Sequence, residues 1–166
     1  TVKFDATIKG KVASNTPPEV NCDFSILKGQ LIDPTTKLKI SGIYLNGKYT
    51  NQGGLKNEYL KLSNVAFQTL GGPFSGNLMI THFDAPLFKG KAKGNLDLAV
   101  LHQLFSFPSV EKIKGNTLVN TTFEVQSILQ PNLSYRFDAK KVEGDVVIKN
   151  VSLQLKEDKR LFENVT

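Results

Sequence analysis

Alternation of apolar and polar residues at period two runs through almost the whole chain, and it limits the fold more than any other feature. Successive side chains of a β-strand point to opposite faces, so this period marks strands with one face buried and the other wet. The opening segment is the clearest case. Val2, Phe4, Ala6, Ile8 and Val12 share one phase, with Gly10 among them, while Lys3, Asp5, Thr7, Lys9 and Lys11 share the other. The same rhythm covers 21–32, 36–50, 58–70, 74–83, 86–96, 113–128, 132–139 and 142–155. Turn-forming residues separate the runs: Asn15-Thr16-Pro17-Pro18, Asp33-Pro34, Gly53-Gly54, Gly71-Gly72-Pro73 and Gln130-Pro131.

A run of about fourteen residues spans roughly 45 Å, well above the usual strand length. Strands this long favour an extended, open sheet over a compact barrel. Some runs also change phase partway. Leu38 and Ile40 are even-numbered, whereas Ile43, Leu45 and Tyr49 are odd-numbered, with Ser41-Gly42 between them. Leu60 and Leu62 give way to Val65 and Phe67 across Ser63-Asn64. A one-residue slip is the signature of a β-bulge, which bends the sheet and tightens its twist.

Only one segment has helical spacing. Asp97 stands where it can cap the amides of the following turn, Leu98, Leu101 and Phe105 fall on one helical face with Leu104 adjoining, and Pro108 follows. The expected fold is therefore mainly β: a long, curved, bulged antiparallel sheet with one short helix near residues 97–106. The sheet could be an open groove, or a flattened half-barrel or sandwich. Residues 1–166 read as a single β-rich domain. Because Thr1 enters a strand pattern at once and Thr166 follows a periodic segment, the expectation is a portion of a longer chain.

Composition narrows the function classes. Hydrophobic residues make up 40% and charged residues 22%, too apolar for a disordered chain. The net charge of +6 favours acidic partners in general. The lysines are spread singly along strands, however, as the wet face of a sheet would carry them, and no basic cluster or aromatic platform suits nucleic acid. Cys22 is the single cysteine and shares the phase of Phe24 and Ile26, which makes it a small buried hydrophobe. No segment reads as a signal peptide or an apolar membrane span.

Catalytic signatures are missing. His82 and His102, the two histidines, have no metal-ligand spacing, and the sequence contains no nucleophile elbow, HExxH or phosphate-cradling loop. Gly90-Lys91-Ala92-Lys93-Gly94 has the wrong spacing for such a loop, and its lysines alternate with Ala92 as on a strand. The expectation is a non-enzyme with no cofactor and no metal. Asn-x-Ser/Thr triplets at Asn120, Asn132, Asn150 and Asn164 are what a chain rich in these residues yields by chance. Gly76, Gly94, Gly115 and Gly144 each precede an alternating stretch, either relieving a local bend or marking a loose structural repeat.

The remaining candidate is the sheet face. Val2, Phe4 and Ile8 share a phase, as do Val119, Phe123 and Val125, and these six are the candidate lipid-groove residues. Leu98, Leu101 and Phe105 are candidates for a helical plug at one end. Such faces either close against each other as a dry core or stay open as a trough for acyl chains, each buried methylene contributing ~0.8 kcal/mol.

Two stretches resemble the AsmA family of bacterial envelope proteins. Residues 45–51, Leu-Asn-Gly-Lys-Tyr-Thr-Asn, followed by 58–65, Glu-Tyr-Leu-Lys-Leu-Ser-Asn-Val, are similar to its pairing of a glycine-bearing strand with a level strand. Residues 84–101 are similar to its pattern of a Pro, a glycine-containing strand and a Gly-x-Leu-Asp-Leu entry into a short helix, after which Ile113-Lys114-Gly115-Asn116-Thr117-Leu118 restarts the sheet. The resemblance implies a periplasmic β-groove, anchored to the inner membrane through other parts of the chain, with a role in outer-membrane biogenesis or phospholipid transport. Its partners would be lipid acyl chains. The alternative is a structural or adhesion-type β domain that binds protein or glycan within a larger secreted protein.

Overall fold

The computed structural model describes residues 1–10, 17–32, 34, 39–52, 54–105, 109–129, 135–157 and 161–165. Among these residues nine strands form one antiparallel sheet whose spatial order is the order of the sequence. They are β1 (Val2–Lys9), β2 (Glu19–Ile32), β3 (Lys39–Thr50), β4 (Tyr59–Thr69), β5 (Gly72–Thr81), β6 (Leu87–Asp97), β7 (Val110–Leu129), β8 (Tyr135–Leu155) and β9 (Leu161–Val165). A helix, α1 (Leu98–Phe105), follows β6, and a 3-10 turn spans Leu55–Asn57. β1 and β9 are the two free edges, so the sheet is open rather than a barrel. Strands of 20 and 21 residues, β7 and β8, form its longest hairpin.

Directly paired residues share a face, and the pairing register puts the apolar phase of each strand on the same side. One row across the sheet reads Phe4, Phe24, Gly47, Leu62, Leu78, Gly90, Phe123 and Val142. The next reads Ala6, Cys22, Tyr49, Leu60, Ile80, Phe88, Val125 and Ala139. Bulges keep these rows intact where the sequence changes phase. The register shifts at Ser41–Tyr44 and at Leu62–Val65 as the alternation requires, and the extra residues Gly42 and Asn64 adopt φ of 59° and 52°. Lys28 (φ 58°) in β2 and Asn150 (φ 55°) in β8 are the extra residues of two further bulges. Left-handed backbone is natural for Gly and tolerated by Asn, whereas for Lys it is uncommon.

Two expected boundaries change. The segments expected at 132–139 and 142–155 belong to a single strand, β8, because Lys140 is a bulge: Glu124 pairs with Lys141 and Val125 with Ala139. The turn expected at Gly71-Gly72-Pro73 is Leu70-Gly71 instead, with Thr69 paired to Gly72 and Pro73 inside β5. Thr69 Oγ1 tightens this turn by accepting from Gly71 N and donating to Gly72 O, both at 3.2 Å. β9 appears beyond the last expected strand. Expectations at Val12, Asn15-Thr16, Asp33, 36–38, Gly53, Pro108, Gln130-Pro131 and Asn132 lie outside the described residues.

Two glycines let rings lie flat across the sheet. A Cβ at Gly47 would sit 2.0 Å from Phe24 Cζ, and one at Gly90 would sit 2.9 Å from Phe123 Cζ. Each aromatic ring covers the bare backbone of its cross-strand neighbour, which hides peptide groups and secures the register. At the start of α1, Asp97 Oδ1 accepts from Ala99 N at 2.7 Å and Val100 N at 3.2 Å, the expected N-cap.

Gly47→Ala should cost about 1–3 kcal/mol by displacing the Phe24 ring, and Phe24→Leu in the same chain should return part of that loss. Asp97→Ala should cost about 1 kcal/mol through the lost cap, with Asp97→Asn close to wild type. Urea unfolding curves on the four variants check both.

Candidate functional site

The apolar face is continuous from β1 to β8 and contains no charged or amide side chain among the directly paired, described residues. Its polar groups are hydroxyls: Thr69, Thr117, Thr121, Ser127 and the Tyr49 phenol. All six groove candidates lie on it. Val2 and Phe4 are 71% exposed and Ile8 66% on the edge strand, while Val119, Phe123 and Val125 are partly buried in β7. The two groups do not converge into one pocket. They stand six strands apart on the same face, roughly 29 Å along the sheet at ~4.8 Å per strand.

Among the described residues no second sheet is stacked on this face: all nine strands belong to the one sheet. The only buried apolar residues among those described are Cys22, Leu98 and Val100. The chain exposes 11532 Å², against about 8,100 Å² expected for a compact monomer of 18.3 kDa. A one-layer sheet, which leaves both of its sides open, raises the exposed area in this direction.

Among the described residues, α1 shields one end of the face. α1 packs on β6 and β7, with Leu98 Cδ1 3.2 Å from where a Cβ at Gly115 would stand. Leu98 and Val100 are buried and Leu101 is partly buried; the side chain of Phe105 lies outside the described residues. Thr117, in the row Leu96–Thr117–Ile148, is only 3% exposed, and its Oγ1 has no hydrogen-bond partner. Val100, absent from the candidate plug, is the more deeply buried residue. It stands two residues beyond Leu98 and so falls off the i, i+3 stripe that singled out its neighbours.

Aromatic contacts tie the face together laterally. Phe67 and Phe74 stack at 4.7 Å, Phe88 and Phe137 approach to 6.4 Å across β7, and Phe83 from the β5–β6 connection meets Tyr49 edge-on at 6.0 Å. Each such pair adds about 0.5–1.5 kcal/mol beyond the area it buries. Sequence reasoning left Phe137, Val142, Val146 and Ile148 of β8 out of the candidate face, although all four lie on it and are exposed. The apolar Val147 beside them hid the alternation.

Among the described residues no three His, Cys, Asp or Glu side chains are grouped to hold a metal. Cys22 is buried on the apolar face between Ala6 and Tyr49. No described helix is long and apolar enough to cross a membrane. The Tyr49 hydroxyl donates to Glu58 Oε2 at 3.5 Å; burial first, and then the neighbouring carboxylate, raise its pKa above the ordinary 10.0. No family model, curated protein or solved structure matches the chain.

A raised phenol pKa means that folding favours the neutral ring, so this contribution to stability is present below the ordinary value and fades as pH rises through the raised one. The difference in tyrosinate absorbance between wild type and Tyr49→Phe should therefore develop above pH 10.0. Over that interval wild type should lose stability relative to the variant.

Proposed function

We propose that this chain is a non-enzymatic, lipid-contacting segment of a cell-envelope protein, a trough of the AsmA type that serves outer-membrane biogenesis or phospholipid transport. Its ligands in this reading are acyl chains, its compartment is the periplasm, and inner-membrane anchoring is carried by other parts of the polypeptide. The observation that supports it is the uncovered apolar face. Exposed apolar patches of more than a few hundred Å² on a soluble domain mark interaction sites, and here the patch occupies one whole side of the sheet.

The dimensions and chemistry agree. The row from Phe4 to Val142 crosses seven strand spacings, roughly 34 Å. One leaflet of a bilayer core is about 15 Å thick, so a chain lies on this face with room to slide. Each methylene it buries contributes ~0.8 kcal/mol, and the face offers no charge that would need to be desolvated. Leu98 and Val100 close the end under α1, which leaves the sides of the trough for entry. The resemblance of 45–51, 58–65 and 84–101 to AsmA strands points the same way.

Site-specific photo-crosslinking in cells tests this on the full-length protein. A photoreactive residue at Phe4, Phe123 or Val142 should give phospholipid adducts, and one at Lys3 on the opposite face should not. Adducts on neither face, from protein folded in the envelope, would sink the lipid reading and favour a structural or adhesion domain that binds through edges and loops.

A further inference from the structure

Lysines that are scattered in the sequence gather in space. On the face opposite the trough, β3–β6 carry Lys39, Lys48, Lys61, Lys89, Lys91 and Lys93. The one carboxylate on that stretch is Asp97, which caps α1. Acidic residues border this stripe. Lys48 reaches Asp23 of β2 at 3.9 Å, Lys89 reaches Glu124 of β7 at 3.1 Å, and Lys141 and Glu143 of β8 pair with each other at 3.0 Å. Lys61, Lys91 and Lys93 make no ion pair among the described residues. Lys61 even stands directly opposite Lys48, a like-charge pairing that works against the sheet.

The surface around these lysines is hollowed. A depression of about 430 Å³ bounded by Lys61, Lys89 and Lys141 adjoins one of about 860 Å³ bounded by Lys91 and Lys93, and the two share Ser63, Asn77, Lys91 and Thr122. The combined lining has five lysines against two glutamates, Glu124 and Glu143, both already paired. The remaining polar groups are hydroxyls and amides that can donate. A hollow rich in donors with unbalanced positive charge suits an anion with many acceptor oxygens.

We propose that this hollow binds ligands carrying two or more phosphate groups. Lys89, Lys91 and Lys93 alternate along β6, so their Cα atoms are spaced by roughly 6.6 Å, two strand residues, and their long side chains rise from the same face. A lone phosphate meets one or two of them; a ligand with several phosphates bridges the row and offsets the Lys48–Lys61 repulsion. Phosphates of this kind come from a soluble polyphosphate or from adjacent headgroups of an anionic membrane. The one aromatic residue lining the hollow is Phe123, which belongs to the apolar row of β7, so the hollow has no series of aromatic platforms of the kind that single-stranded nucleic acid uses.

The test uses inorganic tripolyphosphate, followed by calorimetry and thermal unfolding, and in parallel flotation with vesicles of phosphatidylglycerol and phosphatidylcholine or of phosphatidylcholine alone. Lys61→Gln/Lys91→Gln/Lys93→Gln removes the unpaired charges; Lys3→Gln/Lys9→Gln/Lys149→Gln removes as many elsewhere. Circular dichroism verifies that both fold. Tripolyphosphate should raise the unfolding temperature of wild type, and the site variant should bind about tenfold more weakly or worse while the control stays near wild type. Site-dependent flotation on anionic vesicles without tripolyphosphate binding would assign the phosphates to headgroups; the reverse would assign them to a soluble ligand. Binding of neither probe by wild type, or equal losses in both variants, would overturn the proposal.

Discussion

Every strand of this sheet has to keep its apolar residues on one side, because a slip of one residue would turn all of them to the other. In a two-layer protein a second layer reinforces that choice. Here it rests on the ladder and on neighbours within the face, such as the Phe24 ring over Gly47 and the Phe67–Phe74 stack. The bulges belong to the same logic. Gly42, Asn64, Lys28 and Asn150 each absorb one residue in left-handed backbone, and the rows resume unbroken on the far side. Where a sequence changes phase, the fold changes register to match.

That correspondence explains which features could be read in advance. The bulges at Ser41-Gly42 and Ser63-Asn64 were legible because clean alternation stands on both sides of each. The one at Lys28 is hidden by Leu27, and the one at Asn150 by Val146-Val147-Ile148, where apolar residues occupy both phases and the slip leaves no trace. Alternation also cannot separate a one-residue bulge from a short turn, which is why β8 reads as two segments. Its partner decides the matter: β7 runs through without a break and pairs on both sides of Lys140. Asp97 and α1 were legible for a local reason, since capping depends only on adjacent residues. Whether a second layer covers the apolar face is not a local property. The period reports that a face is apolar and says nothing about what lies upon it.

The two sides of the sheet are chemically opposed. One is uninterrupted hydrocarbon with a few hydroxyls, and the other concentrates lysine on β3–β6 between acidic borders. Spacing along the chain disguises the second feature. Lys48, Lys61 and Lys89 belong to three different strands, and only the pairing of β3 with β4 and of β5 with β6 shows that they share a surface. A molecule built this way has an oriented cross-section only a strand thick, with oil on one side and cations on the other.

The order of the strands has a further consequence. Each pairs only with those before and after it in the chain, so no strand is inserted between two others. Backbone closure is then always local, and any hairpin can form first and recruit the next, as in a solenoid built of stacked units. The length of such a sheet is a free variable. Adding or deleting one hairpin leaves the direction of the chain, the apolar face and every other pairing as they were. A lineage carrying this architecture can lengthen its surface by duplicating two strands at a time, without ever having to invent a new fold.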